Sequence, residues 1–534
     1  MNVAFDPWIP VINHFGERSL ASIHDVFAEG EQYADLAVRP HERVALMRLL
    51  LCVAYAALNG PKDLDEWEQV PHKVAAATGA YLKEWQDSFD LFHPEIPWLQ
   101  VAQLQPIPNG KSNSDDDWTP ITRLSFVRAS GVTSTLFDQQ SNGGVEKPWR
   151  DDELALSLLT FQNYFVAGGK ASSRLWGETE MKNPPNPKGG PCSGKSILFS
   201  FIRQNNLLAT IHYNLSTYDD LVFLYGESEV PIGKPLWEVP ISGPNDDNAL
   251  ENATRTHLGR FVPQTRILRI HHDRTKVLLG AGFDYPKYQD DKNPFAPDAF
   301  ATLSINNKNE RQLLSARPNR SLWRMLHSVV VKAKNSSQGG RGPLCLLNIQ
   351  EGLPCDIISC AMLTNPQQAA ELVDLIESVF RIPANLFEPE GRQTYQEEVE
   401  KAEHKASLLA SSIEIYRYEF DGGWKGRVES AGSKSYDLRL KLHSKATTHY
   451  WTAIEKNLGY LMEHVQSIGG DHVDETREKW RKMLFYSACD AYRTACGQET
   501  PRQIRAFAKG WQKLTGQKAS AQTVNQEEEG VSDE

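Results

Sequence analysis

The chain has 534 residues, of which 40% are hydrophobic and 23% charged, so it can bury a sizeable core, and this composition excludes wholesale disorder. A chain of this length usually forms about two to four domains. Its 57 Lys and Arg against 68 Asp and Glu give a formal net charge of −11. This balance argues against a protein that coats nucleic acid non-specifically, because counterion release requires a basic surface.

Cysteine usage and hydropathy predict the cellular compartment of the protein. The seven cysteines form no CxxC pair, and we expect reduced, mostly buried thiols, as in a cytosolic protein. The sequence begins without a basic segment or a small-residue cleavage site, which predicts no secretory signal. The most apolar stretch, Leu49 to Leu58, is ten residues long, whereas a membrane span needs about 20. We therefore expect a cytoplasmic protein that has no membrane partner.

Residues 1–390 mix helix and strand signals. Arg43 to Leu58 is rich in Leu and Ala and stops at Asn59-Gly60-Pro61, which predicts a buried helix. Without a steady alternation of strands and helices, the segment predicts a large α+β domain. Short β-type runs follow the helix at residues 197–202, 207–211, 221–225 and 266–270.

Residues 391–516 carry long helical periodicities. Apolar residues recur every three or four positions from Trp451 to Ile468, which predicts one amphipathic helix. A second stripe runs from Trp480 to Ala495, a third helix begins at Thr500-Pro501, and residues 392–418 suggest a fourth. Four helices with short connections predict a C-terminal four-helix bundle. Because the chain after Lys518 is acidic and holds no base, we expect residues 517–534 to be a disordered acidic tail.

Residues Gly189 to Ser196 (GGPCSGKS) match the phosphate-binding pattern GxxxxGK[ST]. Such a loop works when an apolar strand precedes it and a helix follows, because the amides at the helix start then cradle phosphates. Here a Pro-rich segment precedes the motif and the strand-like run ILFSFI follows it. A P-loop NTPase is therefore one alternative for this chain, and a flexible glycine loop is the other interpretation of the motif.

Other catalytic and metal-binding patterns do not occur in the sequence. It contains no HExxH motif, nucleophile elbow or paired metal carboxylates, and the cysteine pairs lack zinc-ligand spacing. Adjacent His271 and His272 would face opposite ways on a strand. The residues predict a protein that is not an enzyme and needs no metal or cofactor.

Basic residues are concentrated in two stretches. Residues 255–276 hold six bases against Asp273 alone, and residues 311–341 hold seven bases and no acid. In an acidic chain this segregation favours a local contact with phosphates, although two solvated faces would give the same pattern. The candidate basic patch comprises Arg260, Arg266, Arg269, Arg274, Arg320 and Arg324.

Several short motifs occur in the order found in one known family. They are Asp6-Pro7-Trp8-Ile9-Pro10-Val11, the early Leu/Ala helix, Phe137 within TLFDQQ, the glycines of AGGK at 167–170 and the run SFIRQNNL at 200–207. Over nearly its whole length the sequence resembles the CasA (Cse1) family, the large subunits of the type I-E CRISPR surveillance complex Cascade.

The resemblance implies a non-enzymatic subunit. Such a subunit recognises the protospacer-adjacent motif (PAM) in double-stranded DNA, aids duplex opening, stabilises the R-loop and recruits a helicase-nuclease, while the guide RNA reads the sequence. The implied partners are the other Cascade subunits, the guide RNA, the target duplex and that nuclease. A scaffold subunit that binds only protein is the remaining alternative.

The resemblance also implies residues that touch the PAM duplex. Lys276, followed by Val277-Leu278-Leu279 and then Tyr285-Pro286, matches the lysine that enters the minor groove. A flexible ammonium suits the degenerate acceptor pattern of that groove. Gly168, Gly169 and Lys170 match a glycine loop along the groove, with Gly189-Gly190 as a second possibility.

Two further features follow from the resemblance. A β-hairpin wedge is expected at residues 348–354, with Gln350 as the first candidate and Asn348 as another, although the sequence departs from the family pattern there. Phe137 and the three residues after it match a loop of the family that contacts the complex near the RNA 5′ end. These site residues are Phe137, Asp138, Gln139 and Gln140. Some members carry a CxxC zinc knuckle before the lysine strand; this chain has none, so we expect no zinc.

Overall fold

The computed structural model divides the chain into two compact units, Met1–Arg381 and Ile382–Glu534. The division falls earlier than residue 390, because the 3-10 turn Ala384–Phe387 packs on the helices of the second unit. The predicted acidic tail, 517–534, lies outside the described residues. The structure describes residues 1–107, 117–127, 148–165, 173–181, 189–192, 196–225, 230–283, 285, 298–306, 308, 310–318, 320–332, 340–365, 372–420 and 434–516.

The first unit mixes strands and helices, as the sequence predicts. Its strands are β1 (Ile9–Asn13), β2 (Arg18–Ala21), β3 (Tyr33–Leu36), β4 (Leu104–Pro106), β5 (Thr119–Pro120), β6 (Arg174–Trp176), β7 (Thr179–Met181), β8 (Phe199–Arg203), β9 (Leu268–Ile270), β10 (Lys276–Leu279), β11 (Leu303–Ile305), β12 (Arg311–Leu313), β13 (Cys355–Thr364) and β14 (Leu372–Ile382). Its helices are α1 (Ile23–Ala28), α2 (Pro40–Leu58), α3 (Leu64–Glu68), α4 (Val70–Glu84), α5 (Asp151–Tyr164), α6 (Leu207–Asn214), α7 (Tyr218–Tyr225), α8 (Asp247–Arg255) and α9 (Leu326–Val329).

Among the described residues, the strands form small sheets rather than one large one. The strand orders are β2-β1-β3, β4-β6-β7, β5-β10-β9, β11-β12 and β14-β13-β8. The core lies around α2, which packs against α4, α5 and β13. The predicted helix at 43–58 is thus confirmed as a buried element. It begins with Pro40 in its first turn and ends where Asn59 adopts a φ of 51°.

Two runs predicted as strands, 207–211 and 221–225, are helical. Asn206 caps α6 by accepting a hydrogen bond from the helix backbone. Thr217 and Asp220 exchange hydrogen bonds between backbone and side chain at the start of α7. An apolar run of this length does not distinguish strand from helix by its period, so the capping residues ahead of each run were the better signal.

The second unit is helical, as predicted. Its α10 and α11 run antiparallel, because Tyr450 donates to the Ala402 carbonyl while His443 pairs with Glu414 farther along α10. The helix predicted from Trp451 to Ile468 is divided in two near residues 457–458. Its helices are α10 (Pro389–Phe420), α11 (Lys434–Lys456), α12 (Gly459–Gln466), α13 (Val473–Ala495) and α14 (Pro501–Thr515).

Candidate nucleic-acid interface

Lys276 is the first residue of β10, the middle strand of a short antiparallel sheet. This strand pairs with β9 and, at Lys276 and Val277, with β5. Val277 and Leu278 are fully buried and anchor the strand, whereas Lys276 is half-buried at its end. The strand signal at 266–270 is therefore confirmed as β9, and β9 and β10 form a hairpin.

Residues 271–275 form the turn of this hairpin. The carboxylate of Asp273 accepts hydrogen bonds from the amide (2.9 Å) and hydroxyl (2.8 Å) of Thr275 and lies 2.8 Å from Nδ1 of His271. Although desolvation opposes ionisation, the hydrogen bonds from Thr275 and His271 lower the pKa of Asp273 to about 2. The ionised carboxylate fixes the turn and thereby the direction in which the hairpin presents Lys276.

The turn is also held against the start of α5. Arg274, at a φ of 62°, pairs with Asp151 at 3.1 Å, and its carbonyl accepts a hydrogen bond from the Trp149 amide. Its guanidinium lies 5.0 Å from the centroid of the Phe92 ring. The charge of Arg274 is therefore partly neutralised inside the fold, so this member of the predicted basic patch has a structural role.

One face of the sheet brings together four side chains. Directly opposite residues of an antiparallel pair, and residues two apart along a strand, point to the same side. The registers of β9, β10 and β5 therefore place Arg269, His271, Lys276 and Trp118 on one face together with Leu278, which is buried and packs against Trp118. We call the first four side chains the hairpin face. The rings of Trp118 and His271 lie 4.9 Å apart.

Lys276 is the cation of the hairpin face for which the described residues supply no partner. Within the part of the chain that the structure describes, its ammonium makes no hydrogen bond or ion pair. Arg269 is exposed and reaches the Leu104 carbonyl at 3.5 Å, a weak contact. Sequence reasoning missed Trp118 here, because the register that aligns it with Lys276 joins segments far apart in the chain. It missed His271 because the hairpin between β9 and β10 was not predicted.

The two adjacent histidines do not face opposite ways. His271 and His272 lie at the end of β9 and in the turn, where their ring centroids are 4.1 Å apart. The prediction assumed a continuous strand, in which successive side chains alternate, and that assumption was wrong. Even so, the described residues contain no group of three or more His, Cys, Asp and Glu side chains placed to hold a metal ion.

Two members of the predicted basic patch are buried. Arg260 is 6% exposed and donates to the Thr254 carbonyl at 2.7 Å, and Arg266 is 2% exposed, with its guanidinium 4.0 Å from the Phe165 ring centroid. This corrects their assignment to a surface patch. The reason is that residues 258–268 run through the core, so the basic side chains there turn inward. Arg320 and Arg324 are half-buried, in the segment that leads into α9.

Asn348 does not belong to a DNA-reading surface. It ends the 3-10 turn Leu344–Asn348, is 9% exposed, and donates to the carbonyls of Tyr213 and Leu215 at 2.8 and 2.9 Å. A buried amide whose donors are already satisfied inside the fold is not available to a base edge. Its prediction as a DNA-binding residue is therefore corrected.

Residues 348–354 are also not a β-hairpin. Gln350 is exposed in a turn that Gly352 closes with a φ of 75°, a conformation that favours glycine. A 3-10 turn precedes this turn and β13 follows it, so the two sides are not paired strands. Next along the chain, β13 pairs with β14. Residues 366–371, which lie between these two strands, are outside the described part of the chain.

Two other predicted sets lie outside the described residues. They are the glycine loop, Gly168, Gly169 and Lys170, and the predicted RNA-end loop, Phe137, Asp138, Gln139 and Gln140. Both remain predictions.

The GxxxxGK[ST] motif lacks the setting of a P-loop. Gly190 donates to the Phe165 carbonyl at 2.8 Å and is packed so closely that a Cβ would lie 2.5 Å from the Asn163 carbonyl oxygen. After Ser196 the chain continues into β8 rather than a helix. The motif is therefore not followed by the helix N-terminus that cradles phosphates in an NTPase, and its described first half is packed rather than open.

The cysteines agree with the expectation of reduced, buried thiols. All seven cysteines are free and buried, and burial raises the pKa of Cys192 and Cys345 to about 12. In the described ranges, no helix is both long and apolar enough to cross a membrane.

Comparison with known proteins establishes the family. Residues 2–491 match the family model described as CRISPR-associated protein Cse1. The chain belongs to the Cse1 family. The CasA/Cse1 protein of Thermus thermophilus is 26% identical to this Cse1-family chain in an alignment 536 positions long, which covers 96% of each sequence.

Solved structures establish the shared fold. The crystal structure of CasA from Thermus thermophilus matches this Cse1-family chain with a TM-score of 0.73 at 20% identity, over 96% of this chain and 98% of that one. A chain from a structure titled CRISPR RNA-guided surveillance complex matches with a TM-score of 0.67 at 16% identity, over 96% and 99%. The family resemblance carried by the short motifs is confirmed, together with the mixed fold and its helical C-terminal region.

The predicted site residues of this Cse1-family chain thus fall into separate places. The fold brings Lys276 and Arg269 onto one face with two aromatic rings, and it leaves Gln350 exposed in a different turn. The fold buries Arg260 and Asn348. The hairpin face is therefore the described surface that best fits a contact with nucleic acid.

Proposed function

We propose that this Cse1-family chain is the large subunit of a type I-E CRISPR surveillance complex and recognises the PAM in double-stranded DNA through the hairpin face. Family membership supports the role in the complex. The observation that supports the DNA contact is the ammonium of Lys276, which lies at the end of a buried strand and has no hydrogen-bond or ion-pair partner among the described residues. A compact cation of this kind fits the minor groove, where A·T and T·A pairs present the same acceptors, so it reads a short landmark tolerantly.

The chemistry of this role needs no catalytic group. Exchange of a DNA duplex for an RNA–DNA heteroduplex is nearly balanced in free energy, so contacts to the PAM and to the displaced strand are enough to favour R-loop formation. With a net charge of −11, the isolated subunit should bind DNA weakly, and its partners would be the other subunits, the guide RNA and the target duplex.

Purification of the tagged chain from its native cells tests this function. We expect it to co-elute with other subunits and a small RNA of defined length. The purified assembly should bind a matching duplex more tightly than the same duplex with the PAM scrambled, as measured by a gel-shift titration at fixed salt. Equal affinity for the two duplexes would contradict PAM recognition.

We further propose that the second unit recruits the helicase-nuclease. It is a separate compact unit whose α13 exposes basic and aromatic side chains, among them Lys482 and Tyr486, the latter 63% exposed. A chain ended at Arg381 should keep PAM-dependent binding within the complex but lose target degradation. The double variant Lys482→Glu, Tyr486→Ala in the full chain gives a milder test. Degradation that continues unchanged in both would exclude this role.

A further inference from the structure

Helix α14 carries bases but no acid. Its bases are Arg502, Arg505, Lys509 and Lys513. They are spaced by three, four and four residues, so their side chains lie on one side of the helix. We call these four residues the basic stripe. All four are exposed, and the stripe runs about 16 Å along the helix axis, since each residue adds about 1.5 Å.

Among the described residues, the fold supplies an acid for one of these four cations. Lys509 pairs with Glu419 of α10 at 2.8 Å. The guanidinium carbon of Arg502 lies 5.7 Å from the centroid of an aromatic ring of α10, a contact that does not neutralise its charge. Within the described ranges, Arg505 and Lys513 make no hydrogen bond or ion pair. Three uncompensated like charges therefore lie along one side of α14.

Another side of α14 fixes the basic stripe in place. Ala506, Gly510 and Leu514 are buried in the second unit. The contact with α10 is so close that a Cβ at Gly510 would lie 2.6 Å from the carbonyl oxygen of Ser412. The side chain of Thr500 caps the start of the helix. The stripe is thus a fixed surface, because the helix that presents it is packed along its length.

The sequence that follows α14 has the opposite charge. Residues 519–534, which we call the acidic segment, hold no base and five acids, at positions 527, 528, 529, 533 and 534. Gly516 ends α14 at a φ of 74°, a left-handed conformation in which the chain leaves the helix axis. Glu527 is the eleventh residue after Gly516, and a chain of that length reaches at most about 36–40 Å. Every cation of the basic stripe therefore lies within reach of these acids.

We infer that the acidic segment docks on the basic stripe. Charge complementarity supports this occupant, since three consecutive acids, Glu527 to Glu529, match the three uncompensated cations. A short connection also gives the two charged groups an effective concentration in the millimolar range. Exposed ion pairs are individually weak and are screened by salt, so the docked state opens reversibly.

Docking places the acidic segment in competition with nucleic acid. A basic stripe left open attracts phosphates whatever the base sequence, because phosphate contacts carry no sequence information. The carboxylates occupy the same cations and lower this non-specific binding, so that duplex binding depends more on the hairpin face. This consequence rests on the proposed function, whereas the contact between the acidic segment and α14 does not.

Carbodiimide cross-linking of the full chain tests the contact directly, because the reagent joins a carboxylate to an amine only when the two touch. We expect a product between the acidic segment and Lys513 at low salt, identified by mass spectrometry. Its yield should fall in about 1 M sodium chloride, where the Debye length is about 3 Å. The double variant Arg502→Gln, Arg505→Gln keeps Lys513 and should reduce the yield about twofold or more, since each exposed ion pair is worth about 1.5- to 5-fold.

A matched control removes two exposed cations of α11 instead, in the variant Lys441→Gln, Lys456→Gln. It should leave the yield at Lys513 unchanged. Equal yields in the wild type and in the double variant of α14 would overturn the docking, because the product would then report only the closeness of the two segments along the chain. An equal loss in the α11 control would overturn it too, as a general effect of charge.

Binding of the isolated full chain to a duplex of arbitrary sequence tests the competition. The triple variant Glu527→Gln, Glu528→Gln, Glu529→Gln should bind about threefold more tightly or better at low salt, as expected for three exposed ion pairs. The gain should disappear when the triple variant is combined with Arg502→Gln and Arg505→Gln. Fluorescence anisotropy of the labelled duplex measures each affinity.

A second triple variant, which removes as much negative charge from exposed positions of α3 and α4, is the control: Asp65→Asn, Glu68→Gln, Glu84→Gln. An equal gain in this control would overturn the competition. If the double variant of α14 weakens duplex binding but keeps the wild-type cross-link yield, nucleic acid is the occupant of the basic stripe and the docking is wrong. A complex without a PAM preference would contradict the proposed function, and the cross-link would still stand.

Discussion

Replacing Lys276 with alanine is expected to weaken binding of the assembled complex to a PAM-containing duplex by about 1–3 kcal/mol, roughly 5- to 150-fold. The reason is that its ammonium has no partner among the described residues, so its charge is available to base-edge acceptors in the groove. The preference for the PAM over a scrambled motif should fall by a similar factor. Filter-binding titrations on the two duplexes at one salt concentration measure both effects.

A matched control separates this contact from a general loss of charge. Lys73 is exposed on α4, and Lys73→Ala removes the same charge from the first unit, so it should leave the PAM preference unchanged. Gly169→Asp tests the glycine loop in the same assay, since a carboxylate there would repel the backbone phosphates. If neither Lys276→Ala nor Gly169→Asp alters duplex binding, the protein-only scaffold becomes the better explanation of the chain.

Replacing Asp298 with asparagine is expected to lower the free energy of unfolding of the first unit by about 3–5 kcal/mol. Asp298 forms an ion pair with Arg48 of α2, and both side chains are almost fully buried. Arg48 also donates to the carbonyls of Arg260 and Phe261 at 2.6 and 3.1 Å. The substitution leaves the Arg48 cation in the core without its carboxylate, and urea unfolding at pH 7 measures the cost.

The same pair predicts an acid sensitivity. Desolvation raises the pKa of Asp298, but the charge of Arg48 and the hydrogen bond from the Phe300 amide outweigh it, so the pKa is lowered. Because the folded-state pKa lies below the unfolded one, the stabilisation is present above the ordinary aspartate value of about 3.9 and is lost as the pH falls through the lowered value. Asp298→Asn should remove this contribution to acid unfolding.

Asp219 supplies the control for this substitution. It is exposed on α7, so Asp219→Asn should change the free energy of unfolding by less than about 0.5 kcal/mol. A loss of similar size in Asp219→Asn and Asp298→Asn would contradict the role of the buried pair. A variant Asp298→Asn that unfolds at the wild-type urea concentration would contradict it as well.

Much of the helical structure could be predicted from local signals. The Thr500-Pro501 pair predicted the start of α14, and Thr500 indeed accepts a hydrogen bond from the Gln503 amide there. The stripe from Trp480 to Ala495 lies on the buried side of α13. Such signals work because capping and amphipathic periodicity act within a few residues of sequence.

Local signals failed where distant segments decide the environment. Arg260 and Arg266 look in sequence like members of a basic surface, but the fold buries both. Asn348 looks like a turn residue open to solvent, but the carbonyls of Tyr213 and Leu215 hold it inside. Charge and polarity in a sequence do not reveal which side of a segment the rest of the chain covers.

The order of residues along the chain was enough to predict the family, the α+β character of the first unit and the helical character of the second, because motif order, helical period and capping are encoded locally. The three-dimensional fold was needed to show that Lys276 shares a face with Arg269, His271 and Trp118, and that Arg266 is buried. Strand register and burial depend on pairings between segments that are far apart in the chain, and no local pattern specifies them.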